Sequence, residues 1–310
     1  MPDSTTPNSF SDGDQKQPRG DRNILLTVSY DGTAYSGWQI QPGHDSVQQR
    51  LEQAVLQLTG ENRRILCAGR TDAGVHALGQ SAGFFTNSRI PEDRFGNALQ
   101  TALPDDITII KSREVSHEFH ATYSAVRKTY RYLMLDRGRL PPFLRPYCTE
   151  AGFQLDAERM QRAARHLQGT HDFRCFESHW PNKQTSVRTI ERTAVFRTQL
   201  PRLWQSQHHW VDPHERPSAT AAADGPVIVL EFTADGFLYN MVRAIAGTLI
   251  DIGRGKCPED FLSTVIAAQD RSQAGMTAPP QGLYLVSVEY PDHLLQPSHP
   301  PRHHPAAPRG

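Results

Sequence analysis

Apolar positions along this chain switch between a two-residue and a 3.6-residue period, and each switch outlines an element. Residues 23–31 (NILLTVSYD) predict a strand that ends in an Asp31-Gly32 turn. Residues 46–60 predict a helix. Val47, Leu51, Ala54, Val55 and Leu58 share one face, Ser46 and Gln49 have capping-box spacing, and Gly60 follows the last turn. A short apolar run at 65–68 predicts a second strand, a glycine-bracketed loop follows, and 81–86 predicts a third strand. Residues 91–103 carry Phe95, Ala98, Leu99 and Ala102 at helical spacing with Pro91 near the first turn, and 106–115 predicts a strand.

The second half repeats this order. Residues 123–135 predict a long strand and 140–147 a proline-rich loop. Residues 156–168 predict a helix with Asp156 as N-cap and Met160, Ala163, Ala164 and Leu167 on one side. Strands are predicted at 188–199, 227–234 and 282–290, and helices at 239–252 and 258–268. The order β-α-β-β-α-β thus occurs twice, the split-βαβ order of ferredoxin-like units. The predicted class is α+β. Two tandem ferredoxin-like (split βαβ) halves, 23–116 and 117–291, form a mostly antiparallel sheet with helices on one face and a cleft on the other. Such a cleft suits RNA, whose recognition rests on shape, stacking and phosphate contacts. Residues 200–225 lack apolar periodicity and predict a long hairpin-like insertion. Residues 1–22 and the Pro/His-rich 292–310 predict disordered tails.

Composition narrows the class. Hydrophobic residues make up 37% and charged residues 21% of the 310, as in a soluble globular protein, and no apolar run is long enough to span a membrane. The N-terminus has no apolar core of a signal peptide. Cys67, Cys148, Cys175 and Cys257 are widely spaced with no Cys-x-x-Cys pair, which points to reduced thiols in the cytoplasm and to neither a disulfide framework nor a zinc site. Several histidines sit in the tail (His299, His303, His304) or the insertion (His208, His209, His214) without metal-site spacing. The formal net charge is zero, but residues 63–145 carry 13 Lys or Arg against 8 Asp or Glu, a local excess that suits a polyanion.

Three stretches carry candidate chemistry. In Gly69-Arg70-Thr71-Asp72-Ala73-Gly74-Val75-His76, the glycines bracket a tight turn that holds the only carboxylate between Asn62 and Arg89, read locally either as a carboxylate on a shaped loop or as a surface turn with an incidental ion pair. A lone carboxylate suits nucleophilic attack better than a two-carboxylate glycosidase scheme. Asp72 with His76 is also half of a metal site, a reading for which no second histidine pair stands at ligand spacing. In Arg127-Lys128-Thr129-Tyr130-Arg131-Tyr132, strand alternation puts Lys128, Tyr130 and Tyr132 on one face and both arginines on the other. This is either a base-stacking, phosphate-gripping strand or a strand half buried by tyrosines with solvated arginines behind it. In Phe237 to Gly247, Met241, Ile245 and Leu249 form a core stripe, and Arg243 stands on an otherwise apolar helix, where it either snorkels to the surface or pairs with a buried acid. Trp38, in the loop Gly37-Trp38-Gln39, reads as a packing anchor.

These residues together resemble the tRNA pseudouridine synthase A family over about residues 23–290. The match runs in order through Tyr30-Asp31-Gly32, Gly37-Trp38-Gln39, the 69–76 loop, Phe119-His120-Ala121, Tyr130-Arg131-Tyr132, Met241-Val242-Arg243 and Gly282-Leu283-Tyr284-Leu285. The resemblance implies an isomerase that converts uridine to pseudouridine at positions 38, 39 and 40 of the tRNA anticodon stem-loop. It implies a homodimer with each tRNA spanning both subunits, and neither cofactor nor metal. By motif match it implies Asp72 as nucleophile, Arg243 as its ionic partner, Arg70 inserted into the RNA, and Tyr130 stacked on the flipped uracil. The two tails and the long 200–225 segment depart from the family pattern. Rival readings are a synthase of this family with a different RNA target, a non-catalytic RNA-binding module on this fold, and a metal-dependent hydrolase built on Asp72 and His76.

Overall fold

The computed structural model describes residues 20–178, 185–199 and 225–297. The expected insertion, nearly all of the N-terminal tail and most of the C-terminal tail lie outside the described residues.

Among the described residues, ten strands form one mixed, mostly antiparallel sheet, and five α-helices accompany it. β1 (Arg22–Tyr30) leads to helix α1 (Val47–Thr59), then to β2 (Leu66–Cys67), β3 (His76–Thr86), α2 (Glu92–Gln100) and β4 (Ile107–Val115). β5 (Arg127–Leu135) opens the second half. It is followed by β6 (Thr149–Glu150), α3 (Ala157–Ala164), β7 (Gly169–Asp172), β8 (Val187–Thr198), β9 (Val227–Ala234), α4 (Met241–Gly253), α5 (Phe261–Ala268) and β10 (Leu283–Glu289). The strand order is β4-β1-β3-β10-β5-β9-β8-β7, with β2 on β3 and β6 on β5.

Local chemistry explains the elements that the pattern announces. Ser46 caps α1 by accepting from the Gln49 N–H, and Gly60 ends that helix in the left-handed conformation, φ 72°. Asp156 caps α3 by accepting from the Arg159 N–H at 2.9 Å. The rest of the predicted 156–168 helix tightens into a 3₁₀ turn at Arg165–Leu167. β3 begins at His76, five residues ahead of the expected strand, because it lies mid-sheet and is buried on both faces, which erases alternation. β6 and β7 are too short and polar to carry a period. The chain also stays packed past the expected tail boundary. A 3₁₀ turn at Asp292–Leu295 sets Leu294 and Leu295 against Val115 and Phe119.

β10 pairs with β3 in parallel, through Tyr284 with His76 and Leu285 with Ala77. One large core joins the helices to a single face of the sheet. It contains Tyr130, Tyr132 and Met134 of β5 together with Ile245 and Leu249 of α4. The alternate residues Leu133 and Leu135 belong to a second cluster with Leu140, Cys148 and Tyr284. On the helix-free face, Leu25 packs with the chain around 116–126 and Leu133 and Leu135 with that around 140–148.

α4 is locked to the segment before β10. A Cβ added at Gly247 would lie 1.7 Å from the Met276 carbonyl oxygen. Gly247→Ala is therefore expected to lower the melting temperature, with a cost of about 1–3 kcal/mol from overpacking, even though alanine favours helix by about 1 kcal/mol over glycine. Differential scanning calorimetry checks this. An unchanged or raised midpoint would mean that the 274–280 segment yields freely.

Candidate active site

The 69–74 loop connects β2 to β3 on the helix side of the sheet, between the Gly37–Gln48 stretch and the start of α4. Its shape follows from its neighbours. Trp38 is buried and its backbone N–H donates to the Thr71 carbonyl at 3.0 Å, so the expected packing anchor is also a strut under the loop. Gly37 has φ 94°, and a Cβ there would sit 2.5 Å from the same carbonyl, so only glycine allows this approach. The Tyr30 hydroxyl and the Thr71 hydroxyl are 2.7 Å apart. Gln80 Nε2 donates to the Gly69 carbonyl, and buried Lys128 Nζ donates to that of Ala68. The turn closes with the Val75 N–H on the Asp72 carbonyl, and Gly74 has φ 75°.

This scaffold holds Asp72 half-buried with Oδ2 at 3.3 Å from Arg243 Nη1. The two residues are 171 positions apart in the chain, and of the two readings of Arg243 the pairing with an acid is what the structure contains. Arg243 is anchored independently of Asp72. Its Nε donates to the Ala278 carbonyl at 2.7 Å and its Nη1 to Asn240 Oδ1 at 2.8 Å. The contact to Asp72 is the longest of the three, beyond the usual 2.7–2.9 Å of a charge-assisted bond. Burial pushes the Asp72 carboxyl above the usual carboxylate range, and the Arg243 charge only partly offsets this.

Tyr130 lies beside the loop, and its hydroxyl is 3.8 Å from where a Cβ at Gly69 would stand. Its ring meets Phe237 edge-on at 5.0 Å between centroids. Burial raises its pKa far above the ordinary phenol value, with Asp72 among the lesser causes, so it is neutral at pH 7. Arg70 is exposed. Asp72, Tyr130 and Arg243 thus converge, with Arg70 on the same loop.

Other candidates are drawn elsewhere. Arg127 pairs with Glu191 at 2.7 Å and Glu289 at 2.6 Å, and Arg131 with its cross-strand neighbour Glu231 at 2.7 Å. The arginines of β5 are therefore ion-paired sheet residues on the face away from Asp72. His76 is buried and stacked on Tyr284 at 4.8 Å. Its Nδ1 faces the Gly32 N–H at 3.0 Å and its Nε2 the Pro146 carbonyl at 2.8 Å, so neither ring nitrogen is open to a metal paired with Asp72. Among the described residues, no group of three His, Cys, Asp or Glu could hold a metal ion. Burial pushes the Cys67 thiol, just before the loop, up to about 12, so it stays protonated. No helix among the described residues is long and apolar enough to cross a membrane. Sequence reading missed Asn240, which reaches Arg243 through its side-chain amide, and Ala278, which does so through a backbone carbonyl that leaves no signature in residue type.

A family model described as tRNA pseudouridine synthase matches residues 26–124 and 163–291. The chain belongs to that family. Its members are isomerases that make pseudouridine in tRNA. A tRNA pseudouridine synthase A from Acetivibrio thermocellus is 44% identical over 269 residues, which cover 87% of this chain and all of the relative. One from Thermoanaerobacter sp. is 40% identical over the same coverage. A tRNA pseudouridine synthase A 2 from Clostridium perfringens is 42% identical, again over 87% of this chain and all of the relative. The two matched segments take in Arg70, Asp72, Asn240, Arg243 and Ala278, while Tyr130 lies between them.

Proposed function

We propose that this synthase converts uridine to pseudouridine at positions 38, 39 and 40 of the tRNA anticodon stem-loop, with Asp72 as nucleophile. The observation that carries the reading is a half-buried carboxylate on a rigid turn, loosely paired with a separately anchored arginine, with Tyr130 beside the same loop. A loose pair suits a nucleophile, because attack does not first require breaking a strong salt bridge.

A uridine in a stem must leave the stack before its glycosidic bond can be reached, at a cost of a few kcal/mol. Arg70, exposed on the loop, enters the space the base vacates, and Tyr130 stacks on the extruded uracil. Asp72 then forms a covalent adduct at C1′ of the ribose or at C6 of the ring. The C1′–N1 bond breaks, the ring turns, C1′–C5 forms, and the C5 hydrogen leaves as a proton as Asp72 is released. No redox partner enters this balance, and the side chains alone suffice without cofactor or metal. Arg243 supplies the counter-charge that keeps a half-buried Asp72 ionised.

The enzyme works in the cytoplasm as a homodimer whose subunits share each tRNA. The architecture is read as two tandem ferredoxin-like halves, 23–116 and 117–291. The parallel orders β4-β1-β3-β2 and β10-β5-β9-β8 support this, since each places the fourth strand of its half beside the first.

Tritium release from tRNA transcripts labelled at C5 of uridine tests the reading, because making pseudouridine expels that hydrogen. Wild type is expected to release tritium in the presence of EDTA and Asp72→Ala to release none, with release confined to transcripts carrying uridine at 38, 39 or 40. Wild type that binds tRNA without releasing tritium would favour the binding-module reading. Release from other positions would move the target.

A further inference from the structure

Asn240 stands at the N-cap of α4, where an asparagine side chain ordinarily accepts from the helix's own first-turn amides. Here it makes no such bond. Its backbone has φ 60° and ψ 4°, and it is one of two non-glycine residues with positive φ among the described residues. Asparagine tolerates that conformation better than most side chains. The amide that would have capped the helix is spent elsewhere. Oδ1 accepts from Arg243 Nη1 at 2.8 Å and Nδ2 donates to the Ser178 hydroxyl at 2.9 Å. Because a guanidinium only donates, the atom facing it must be the amide oxygen. Ser178 is tied back in turn, its N–H on the Tyr239 carbonyl at 3.2 Å. The nitrogen held by Asn240 is the same Nη1 that faces Asp72.

We propose that Asn240 is a positioning residue for the reaction: its side chain, given up as a helix cap and braced by Ser178, aims Arg243 Nη1 at Asp72. Ala278 holds the other side of the guanidinium through Nε. Together they fix the arginine on α4, so the carboxylate on the opposite loop meets a charge already in place and is not needed to anchor it. This rests on the reading of Asp72 as the nucleophile.

Two substitutions separate the side chain from the backbone. Asn240→Gly keeps a residue suited to positive φ and removes the amide. Asn240→Asp keeps tolerance of that φ and an acceptor for Arg243. Asn240→Gly is expected to lower kcat for tritium release about tenfold or more, since small misplacements of a reacting constellation are costly. KM for tRNA and the melting temperature should stay at wild-type values or the midpoint should rise, and Asn240→Asp should recover most of the lost kcat. Wild-type kcat in Asn240→Gly, or a loss that tracks a fall in melting temperature and is shared by Asn240→Asp, overturns the assignment. Asp72→Ala, assayed alongside, separates the two ideas. If it is active, the nucleophile reading fails. If it is inactive while Asn240→Gly is fully active, only the role of Asn240 fails.

Discussion

Asp72→Asn is expected to lose pseudouridine formation by at least about 10⁴-fold, the scale seen when a nucleophile is removed, while melting no lower than wild type at pH 7. The two halves of this outcome share one cause. Burial lifts the Asp72 carboxyl above the usual carboxylate range, and Arg243 recovers only part of the difference. A carboxyl whose pKa is higher folded than unfolded favours folding at low pH, and that contribution is lost as pH rises through the folded value. At pH 7 the ionised Asp72 therefore weighs against the folded state. Asparagine keeps the shape and removes the charge. Arg243 does not become an unanchored cation, because the Ala278 carbonyl and the Asn240 amide still hold it. Tritium release and thermal denaturation on the same preparation check both halves. Substantial residual activity would remove Asp72 from the reaction, and a lower midpoint would mean that pairing with Arg243 outweighs the cost of burial.

Arg243→Leu is expected to lower kcat by about 10²–10³-fold, as when a preorganised electrostatic partner is lost, and to move the acid limb of the pH–rate profile to higher pH. The proposed nucleophile acts ionised, so activity is expected above its pKa and is lost as pH falls through it. In wild type, burial raises that pKa and Arg243 is what lowers it, while Tyr130, which faces Asp72 from β5, is neutral throughout this range. Without the arginine the desolvation is unopposed and the limb climbs. The variant should also melt lower, since Ala278 and Asn240 lose their donor. Arg243→Lys keeps the charge but not the planar fork that reaches three partners, so its rate and limb should fall between the two. An unshifted limb in Arg243→Leu would show that the titration belongs to another group.

Much of this molecule was legible in residue order because the signals are local. Ser46 and Gly60 bound α1 by backbone chemistry that four or five residues contain. Alternation along Lys128, Tyr130, Tyr132 against Arg127, Arg131 sorted β5 onto its two faces correctly. The Gly-Arg-Thr-Asp turn and the lone Arg243 on an apolar helix both stood out as residues out of place for packing alone.

What sequence could not reach depends on neighbours distant in the chain. A period of two separates the faces of a strand without saying which one meets the helices. The arginines of β5 looked available until the sheet register brought Glu231, Glu289 and Glu191 opposite them. β3 extended back to His76 because it is central, with strands on both sides supplying hydrogen bonds that an alternating pattern does not announce. The residue types, their periods and the motif order determined the α+β class, the family and the candidates Asp72, Tyr130, Arg70 and Arg243. Only tertiary structure decided that Arg243 lies 3.3 Å from Asp72, that Asn240 and Ala278 hold it there, and that His76 is spent on packing. Those are distances between segments up to 171 residues apart, fixed by how two half-sheets join along β3 and β10 and not by the chemistry of any one stretch.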